Sequence, residues 1–392
     1  MSVTTSSPSF SNPTHGATGV RPRLVFVVTE DWFFASHFLP MARAAVEAGF
    51  EPVVVTRLRD HRGAIEATGA RLVPLDLERR ENGPASLMQA VRRLGAILEA
   101  ERPALIHAIS LRSILIAGLA GRMAGNPPSV QAVTGLGFLG ARRDLKGRLA
   151  RALLGRAIAG PISPRKTRFL LENAQDARFL RLSPDEKRIR IVGGAGVDPQ
   201  AYPPAPLPNG RGLRLALVSR MVWSKGVDTA VEAVTMARQR GVDVSLTIFG
   251  APDGDNPRAI PKATLDEWNA RDGIVWAGPT RDIPAVWAAH HAAIFPSRGG
   301  EGLPRTLLEA AACGRAILTS DVPGCRDLVR DGIEGFVLAP EDAPAFLRAI
   351  EALAAEPDRV AAMGKAARER ILAGYTERHV METVKDLWRE LL

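Results

Sequence analysis

Short apolar runs alternate with amphipathic segments along most of the chain. The runs are rich in Val, Ile and Leu, as buried strands are, and the segments between them repeat apolar residues every three or four positions. Strands that alternate with helices usually pair in parallel, so the pattern predicts an α/β fold. For the first half of the chain it predicts strands at 24–29, 52–56, 71–76 and 104–109, and helices at 36–48, 84–101 and 113–124.

The alternation stops at residues 193–212, which are dense in proline and glycine, and then begins again. Proline lacks a backbone N–H and fixes φ, so this stretch can hold neither a helix nor a central strand. We interpret residues 199–212 as a linker between two domains. After the linker, the pattern predicts strands at 213–219, 244–249, 274–277, 292–296 and 316–320, and helices at 226–240, 262–270 and 304–313.

The predicted architecture has two doubly wound, parallel-sheet domains of Rossmann-like type, at 21–198 and 213–374, which suits a chain of 392 residues. Residues 1–20, rich in Ser, Thr, Pro and Gly, are expected to form a disordered leader. The amphipathic segment at 375–392 is expected to form a terminal helix that can cross back to the first domain. Such sheets bind ligands at the carboxyl ends of their strands, which here predicts a cleft between the two domains.

Composition excludes several classes of protein. Hydrophobic residues make up 46% and charged residues 24% of the chain, which excludes a fibrous or wholly disordered protein. The longest apolar run is far shorter than the roughly 20 residues of a membrane-spanning helix, and no secretion signal follows the first Met. Two cysteines, Cys313 and Cys325, cannot build a disulfide framework, which favours the cytoplasm. The net charge of +9 predicts an anionic partner, and nucleic acid, anionic lipid and phosphorylated small molecules all fit.

A glycine-rich loop with an acid precedes one helix predicted in the second domain. Residues 298–317 read RGGEGLPRTLLEAAACGRAI, and Pro304 stands where a helix can begin, because its missing N–H would be unpaired there in any case. Glu301 and the backbone amides of Gly302 and Leu303 therefore crowd a helix N-terminus. Such a terminus binds anions, so a phosphate or a sugar oxygen is the expected ligand.

Glu309 lies inside the alanine-rich helix that follows this loop. A buried carboxylate is costly unless something hydrogen-bonds it, and the hydroxyls of a ribose or a sugar would do so. The alternative is structural: Glu301 stabilises the helix dipole, and Glu309 pairs with a buried arginine.

Arg220 and Lys225 bracket the loop that follows the first strand of the second domain, in the sequence SRMVWSKG. Two cations at the carboxyl end of a strand fit a diphosphate, because a guanidinium binds two oxygens at once and an ammonium supplies a point charge. A solvated loop that happens to carry two basic residues is the alternative.

Together these features resemble the retaining glycosyltransferases of family 4, which have the two-domain GT-B fold. The resemblance is carried by Arg220, Lys225, the segment WAGPTRDIPAVWA at 276–288, and Glu301 and Glu309 with seven residues between them. The segments TEDWFFASHFLPMARAAVEAGFEPVVVT, VTGLGF, NPRAI and DVPGCRDLV are similar to the branch that builds capsule, O-antigen or glycan oligosaccharides on polyprenyl diphosphate. About residues 22–390 are covered.

The resemblance implies transfer of a sugar from a nucleotide sugar, expected to be UDP-linked, to a polyprenyl-diphosphate-linked sugar. It assigns the donor's diphosphate to Arg220 and Lys225, its ribose to Glu309, its sugar to Glu301 with the Gly302 and Leu303 amides, and its base to the turn at 278–280 with Thr280. The leaving phosphate oxygen would take the acceptor proton, so no protein nucleophile, metal or further cofactor is implied. The implied catalytic residues are Arg220, Lys225, Glu301 and His107.

The acceptor side falls to loops of the first domain, which hold Glu30, Asp31, His37, His107 and the turn at 134–137. Many relatives carry a second histidine where this chain has Ile109, so His107 is equally well interpreted as a core residue. Arg298, Gly299 and Gly300 replace an aromatic or Ser-Tyr pair ahead of the first glutamate, which leaves the donor sugar open.

Several features carry alternatives. The basic segment at 140–160 spaces Leu145, Leu149 and Leu153 on one helical face, so it can lie on an anionic membrane or pack as an ordinary surface helix with that face inward. The triplet DGD at 253–255 is typical of a turn, and we expect no metal there. A sugar-nucleotide epimerase of the same fold and a basic anion- or nucleic-acid-binding module are the rival functions, although an aromatic content of 5% argues against nucleic acid.

Overall fold

The computed structural model describes residues 21–75, 83–135, 144–183, 185–252, 254, 256–300 and 302–392. Within these residues the strands form two sheets. The strands of the first sheet are β1 (Arg23–Glu30), β2 (Glu51–Arg57), β3 (Arg71–Pro74), β4 (Leu105–Ile109), β5 (Ser129–Val133), β6 (Thr167–Leu171) and β7 (Ile189–Ile191). The strands of the second sheet are β8 (Leu213–Val218), β9 (Val244–Phe249), β10 (Ile274–Gly278), β11 (Ala292–Phe295), β12 (Ala316–Ser320) and β13 (Gly335–Leu338).

Helices connect the strands on both faces of each sheet. Those of the first half are α1 (Asp31–His37), α2 (Leu39–Glu47), α3 (Arg62–Glu66), α4 (Pro84–Glu101), α5 (Leu111–Ala120), α6 (Leu145–Ala157), which runs into a π-helical turn (Ile158–Ile162), and α7 (Ala174–Phe179). Those of the second half are a 3₁₀ turn (Trp223–Lys225), α8 (Val227–Gln239), α9 (Lys262–Asn269), α10 (Ile283–Ala289), α11 (Arg305–Ala312), α12 (Cys325–Leu328), α13 (Ala343–Ala355), α14 (Pro357–Gly374) and α15 (Glu377–Leu391).

Both sheets have a doubly wound strand order. The first runs β3-β2-β1-β4-β5-β6-β7 and the second runs β10-β9-β8-β11-β12-β13, with parallel pairing throughout. The chain reverses its winding direction between β1 and β4 in one sheet and between β8 and β11 in the other. Ligands bind at such switch points, outside the carboxyl ends of the strands. The predicted fold class, two doubly wound α/β domains of the GT-B type, is confirmed.

The core of the first domain lies on both faces of β1. Val25 and Val27 pack against α4 and α5 on one face, while Leu24, Phe26 and Val28 pack on the other. A strand that is buried on both faces has apolar residues at successive positions, and this pattern predicts β1 from the sequence.

The terminal helix α15 returns to the first domain. Its apolar side, with Val384, Leu387 and Trp388, belongs to the same buried cluster as Phe26 of β1. Glu390 near its end accepts from Arg168 and Arg190 of the first sheet, at 3.0 and 2.5 Å. The last helix of the chain therefore packs on the domain that begins it.

The structure differs from the sequence prediction in a few elements. The helix expected at 36–48 is two helices, α1 and α2, because Phe38 leaves the helical conformation (φ −125°, ψ 6°) and Pro40 opens the second helix. Strands β5, β6, β7 and β13 were not predicted. The expected leader at 1–20, the DGD triplet's two aspartates and Glu301 lie outside the described residues.

Candidate active site

The loops after β8 and β11 meet at the switch point of the second sheet. Gly226, which follows the 3₁₀ turn, has φ +68°, and a Cβ there would lie 1.9 Å from the Pro296 carbonyl oxygen. Arg298, in the loop after β11, also contacts the loop after β8. Its backbone N–H donates to Ser224 O at 2.9 Å, and its side chain forms an ion pair with Asp228 at 2.5 Å. The backbone around Lys225 is therefore fixed by close contacts rather than left as a solvated loop.

Arg220 and Lys225 lie at this switch point and face the first domain. The Arg220 guanidinium lies 6.0 Å from the ring centre of Trp32, which belongs to α1. The Lys225 ammonium lies 5.3 Å from the ring centre of Phe295, the last residue of β11. Both cations are thus positioned at the carboxyl ends of the central strands of the second sheet, on the side where α1 approaches.

His37 of α1 marks where the two domains meet. The pKa of His37 is lowered to about 4, mainly by burial and also by the charges of Arg305, Lys225 and Arg220, while a hydrogen bond with the Phe33 backbone opposes this shift. The structure therefore brings a neutral imidazole from the first domain next to three cations from the second. The sequence had assigned His37 to the acceptor side, without Arg305 as its neighbour.

The N-terminal end of α11 is closed by a carboxylate from the first domain. The Leu303 N–H donates to Glu172 Oε2 at 2.7 Å, and Glu172 directly follows β6. A Cβ on Gly302 would lie 1.8 Å from the same oxygen and 3.1 Å from the Thr134 carbonyl carbon, so only glycine allows this approach. Sequence reasoning missed Glu172, because no strand was predicted at β6 and its position as the residue after a strand was therefore not visible.

Glu309 is buried within α11 and already hydrogen-bonded. Its Oε1 accepts from Arg305 Nε at 2.8 Å and from the Tyr202 hydroxyl at 2.9 Å. Burial raises the pKa of Glu309, and the charge of Arg305 opposes that rise. Burial opposes the charge on Arg305, but the pKa of that guanidinium is nevertheless raised by the carboxylate. The arginine partner that the sequence offered as the alternative is present, and Tyr202, from the linker, is a partner that it did not foresee.

The acids at the end of β1 support the neighbouring loop. Asp31 is fully buried, and its Oδ2 accepts from the backbone N–H groups of Arg59 at 2.7 Å and His61 at 3.1 Å. Glu30 lies 3.6 Å from the Arg59 guanidinium. These contacts fix the loop after β2 at the edge of the cleft.

Two family models match the chain, one for each sheet. A model described as "Glycosyl transferase 4-like" matches residues 23–161, and one described as "Glycosyl transferases group 1" matches residues 212–356. The chain belongs to glycosyltransferase family 4. Within this family, the residues from β1 to the π-helical turn match the first model, and those from β8 to the end of α13 match the second.

Relatives and solved structures agree with that membership. An alpha-maltose-1-phosphate synthase of Mycolicibacterium smegmatis is 31% identical to this glycosyltransferase in a match that covers 53% of this chain. The match covers only 58% of that relative's length. An N,N'-diacetylbacillosaminyl-diphospho-undecaprenol alpha-1,3-N-acetylgalactosaminyltransferase of Campylobacter jejuni is 23% identical over 76% of the chain and 81% of its own length. The crystal structure of Anabaena Alr3699/HepE in complex with UDP-glucose superposes with a TM-score of 0.76 at 14% identity, covering 94% of this chain and 99% of that one. That likeness establishes the fold.

His107, one of the expected catalytic residues of this glycosyltransferase, lies in the core of the first domain. Its side chain is fully buried, 5.3 Å from Phe26 and 6.0 Å from Trp388 between ring centres, and burial lowers its pKa to about 3. Neither ring nitrogen has a hydrogen-bond partner among the described residues. Alternate residues of a strand face opposite sides of a sheet, and His107 faces the side covered by α15. Its position favours the core interpretation over contact with a substrate.

The turn after β10 lies on the same edge of the second sheet as Arg220. Thr280 Oγ1 accepts from the Asp282 N–H at 3.2 Å, and Asp282 in turn caps α10 by accepting from the Ala285 N–H at 3.1 Å. Thr280 is thus held by the start of α10, two strands from β8 in the sheet order. Among the described residues, no cluster of three His, Cys, Asp or Glu side chains is arranged to hold a metal ion.

Proposed function

We propose that this protein transfers a sugar, with retention of configuration, from a UDP-linked donor to a sugar carried on polyprenyl diphosphate during assembly of a surface polysaccharide or glycan. The observation that carries the proposal is the position of Arg220 and Lys225 at the switch point of the second sheet, where the Arg220 guanidinium lies 6.0 Å from the ring centre of Trp32 of the first domain. Arg305, the first residue of α11, adds a third cation, and all three charges lower the pKa of His37. Two cations at the carboxyl end of a strand suit a diphosphate, because a guanidinium binds two oxygens at once and an ammonium supplies a point charge.

Stabilisation of the leaving diphosphate is the main catalytic contribution in this proposal. Charge develops on the phosphate oxygen as the bond to the sugar breaks, and cations already fixed in place need no reorganisation to receive it. Arg220 and Lys225 supply that charge from the loop after β8. The leaving oxygen takes the acceptor's proton, so the chain supplies no nucleophile and no metal.

The remaining donor contacts follow from positions along α11 and β10. Glu309 Oε1 holds Arg305 and Tyr202, and we propose that the carboxylate also receives a ribose hydroxyl. The Gly302 and Leu303 amides, with Glu301, would hold the donor sugar. Thr280 would lie beside the base, at the far end of the same sheet edge.

The acceptor assignment is supported by the Campylobacter jejuni relative, whose name specifies an acceptor linked to undecaprenol diphosphate and whose match extends over 76% of the chain. Such an acceptor would enter from the first domain, where Thr134 after β5 and Glu172 after β6 lie next to the start of α11. A lipid-linked acceptor also places the reaction at a membrane surface, and we propose the cytoplasmic face.

The direct test measures release of nucleoside diphosphate from a panel of sugar nucleotides, with EDTA present and a short polyprenyl-diphosphate sugar as acceptor. We expect acceptor-dependent release of UDP from one donor, and an α-linked product by NMR if that donor is α-linked. Arg220→Ala should lower kcat by about 100-fold or more, whereas Arg348→Ala, an exposed arginine on α13, should leave it unchanged. Conversion of one sugar nucleotide to its epimer without release would overturn the proposal in favour of an epimerase.

A further inference from the structure

Helix α6 presents its leucines to solvent. Leu145, Leu149 and Leu153 lie at successive intervals of four residues, and they are 73%, 59% and 61% exposed. The sequence left open whether this apolar face points inward, as in an ordinary surface helix. It points outward, so packing against the residues that the structure describes does not account for the three leucines.

The packing of the opposite face explains this orientation. A Cβ on Gly155 would lie 1.8 Å from the Phe179 carbonyl oxygen, so α6 is pressed against the end of α7 along its glycine side. Gly147 is buried on that side, and Leu154 packs against the core of the first domain. A helix held by one side cannot rotate, and its leucines therefore form a fixed external ridge.

Cations flank this leucine ridge. Residues 145–166 contain six Lys or Arg and no Asp or Glu. At about 100° per residue, the leucines span an arc of about 80°, with Lys146 just beyond one edge and Arg148 about 60° beyond the other. Lys146 and Arg148 are both exposed. An apolar ridge between cations is the arrangement of an interfacial helix, whose apolar side enters the acyl region while its cations meet phosphate groups.

We infer that α6 docks this protein onto an anionic phospholipid bilayer, with the leucine ridge inserted and the flanking cations at the headgroups. No helix among the described residues is both long and apolar enough to cross a membrane, so the contact is with one surface. The inference rests on the proposed function only for its purpose, which is to bring the first-domain loops to a lipid-linked acceptor.

A second copy of the chain is a poorer occupant of the ridge. In a two-fold dimer through this face, the surface would meet an identical surface, so Lys146, Arg148 and Arg156 would face the same set of cations with no acid among residues 145–166 to pair with them. Like charges brought together in this way oppose association. Three leucines per copy also cover much less than the roughly 800 Å² that each partner of a stable dimer buries.

The test is co-sedimentation with sucrose-loaded vesicles of phosphatidylcholine alone and of phosphatidylcholine with phosphatidylglycerol. We expect binding that requires phosphatidylglycerol and that falls at least tenfold in partition coefficient when Leu149 and Leu153 are both replaced by Asp. Because these side chains are exposed, the double variant should keep the wild-type melting temperature. Ile333→Asp, which changes a residue 46% exposed in the second domain, is the matched control and should bind as the wild type does.

Equal vesicle binding by the double variant and the wild type would overturn the inference, as would no binding by either. A wild-type dimer in solution that the double variant dissolves, with no vesicle binding, would assign the ridge to a second copy. UDP release with a water-soluble acceptor should be the same for wild type and double variant. If release fails for both while vesicle binding still follows the leucines, the proposed function fails and the docking surface stands.

Discussion

Removal of the Glu172 carboxylate should strengthen donor binding. Glu172 Oε2 accepts from the Leu303 N–H at 2.7 Å, across the boundary between the domains. In the proposed function the same amide holds the donor, so a donor must displace Glu172 before it can bind there. Glu172→Ala removes that competition, and it also removes a negative charge near the expected position of a diphosphate.

The size of the effect follows from the hydrogen bond that the donor must break. A bond between an amide and a charged carboxylate contributes about 1.5 to 3 kcal/mol. In the variant, water hydrates the Leu303 amide, so we take the lower value. Because about 1.4 kcal/mol corresponds to about tenfold in affinity, Glu172→Ala should bind the donor about tenfold more tightly. Glu172→Gln keeps an oxygen acceptor without the charge and should give an intermediate gain.

Titration calorimetry with an unreacted sugar nucleotide and with UDP measures this change directly. Gln175→Ala is the matched control, because Gln175 accepts from Arg326 at 2.6 Å across the same domain boundary but does not contact Leu303. It should leave donor affinity unchanged. Weaker or unaltered binding by Glu172→Ala would refute the competition and would mean that Glu172 remains on the Leu303 amide in the complex.

Three further predictions concern titratable groups. Tyr202→Phe removes a hydrogen bond from the buried Glu309, so the free energy of unfolding in urea should fall by about 1 to 2 kcal/mol; an unchanged midpoint would contradict this. Binding of a sugar nucleotide should raise the pKa of His37 from about 4, so calorimetry near pH 5.5 should detect proton uptake that His37→Gln abolishes. Burial raises the pKa of Asp176 from 3.8 to about 7, so its contribution to stability is complete below about pH 4 and is lost as the pH rises through 7. Asp176→Asn should therefore gain up to about 4 kcal/mol over the wild type by pH 8, and parallel melting curves from pH 4 to 8 would rule this out.

The sequence predicts strands best where burial is two-sided. β1, β2, β8 and β11 are rich in buried apolar residues, and their prediction placed the loops that carry Arg220 and Lys225 at the carboxyl edge of a sheet. The sequence pattern did not predict β6 and β7, because β6 begins with Thr and Arg and β7 has only three residues. The donor half of the site was therefore predictable from local pattern, while part of the acceptor half was not.

The features that the sequence did not predict depend on contacts between distant parts of the chain. Whether His107 faces a ligand or the core is decided by α15, which covers its side of the sheet with Trp388. The pairing of Glu172 with Leu303 exists only because Gly302 lets the two domains approach. Strand periodicity gives the alternation of faces but not which face another segment will cover. The terminal helix that returns to the first domain thus settles the interpretation of His107 on β4, and the junction of the two domains settles that of Glu172 after β6.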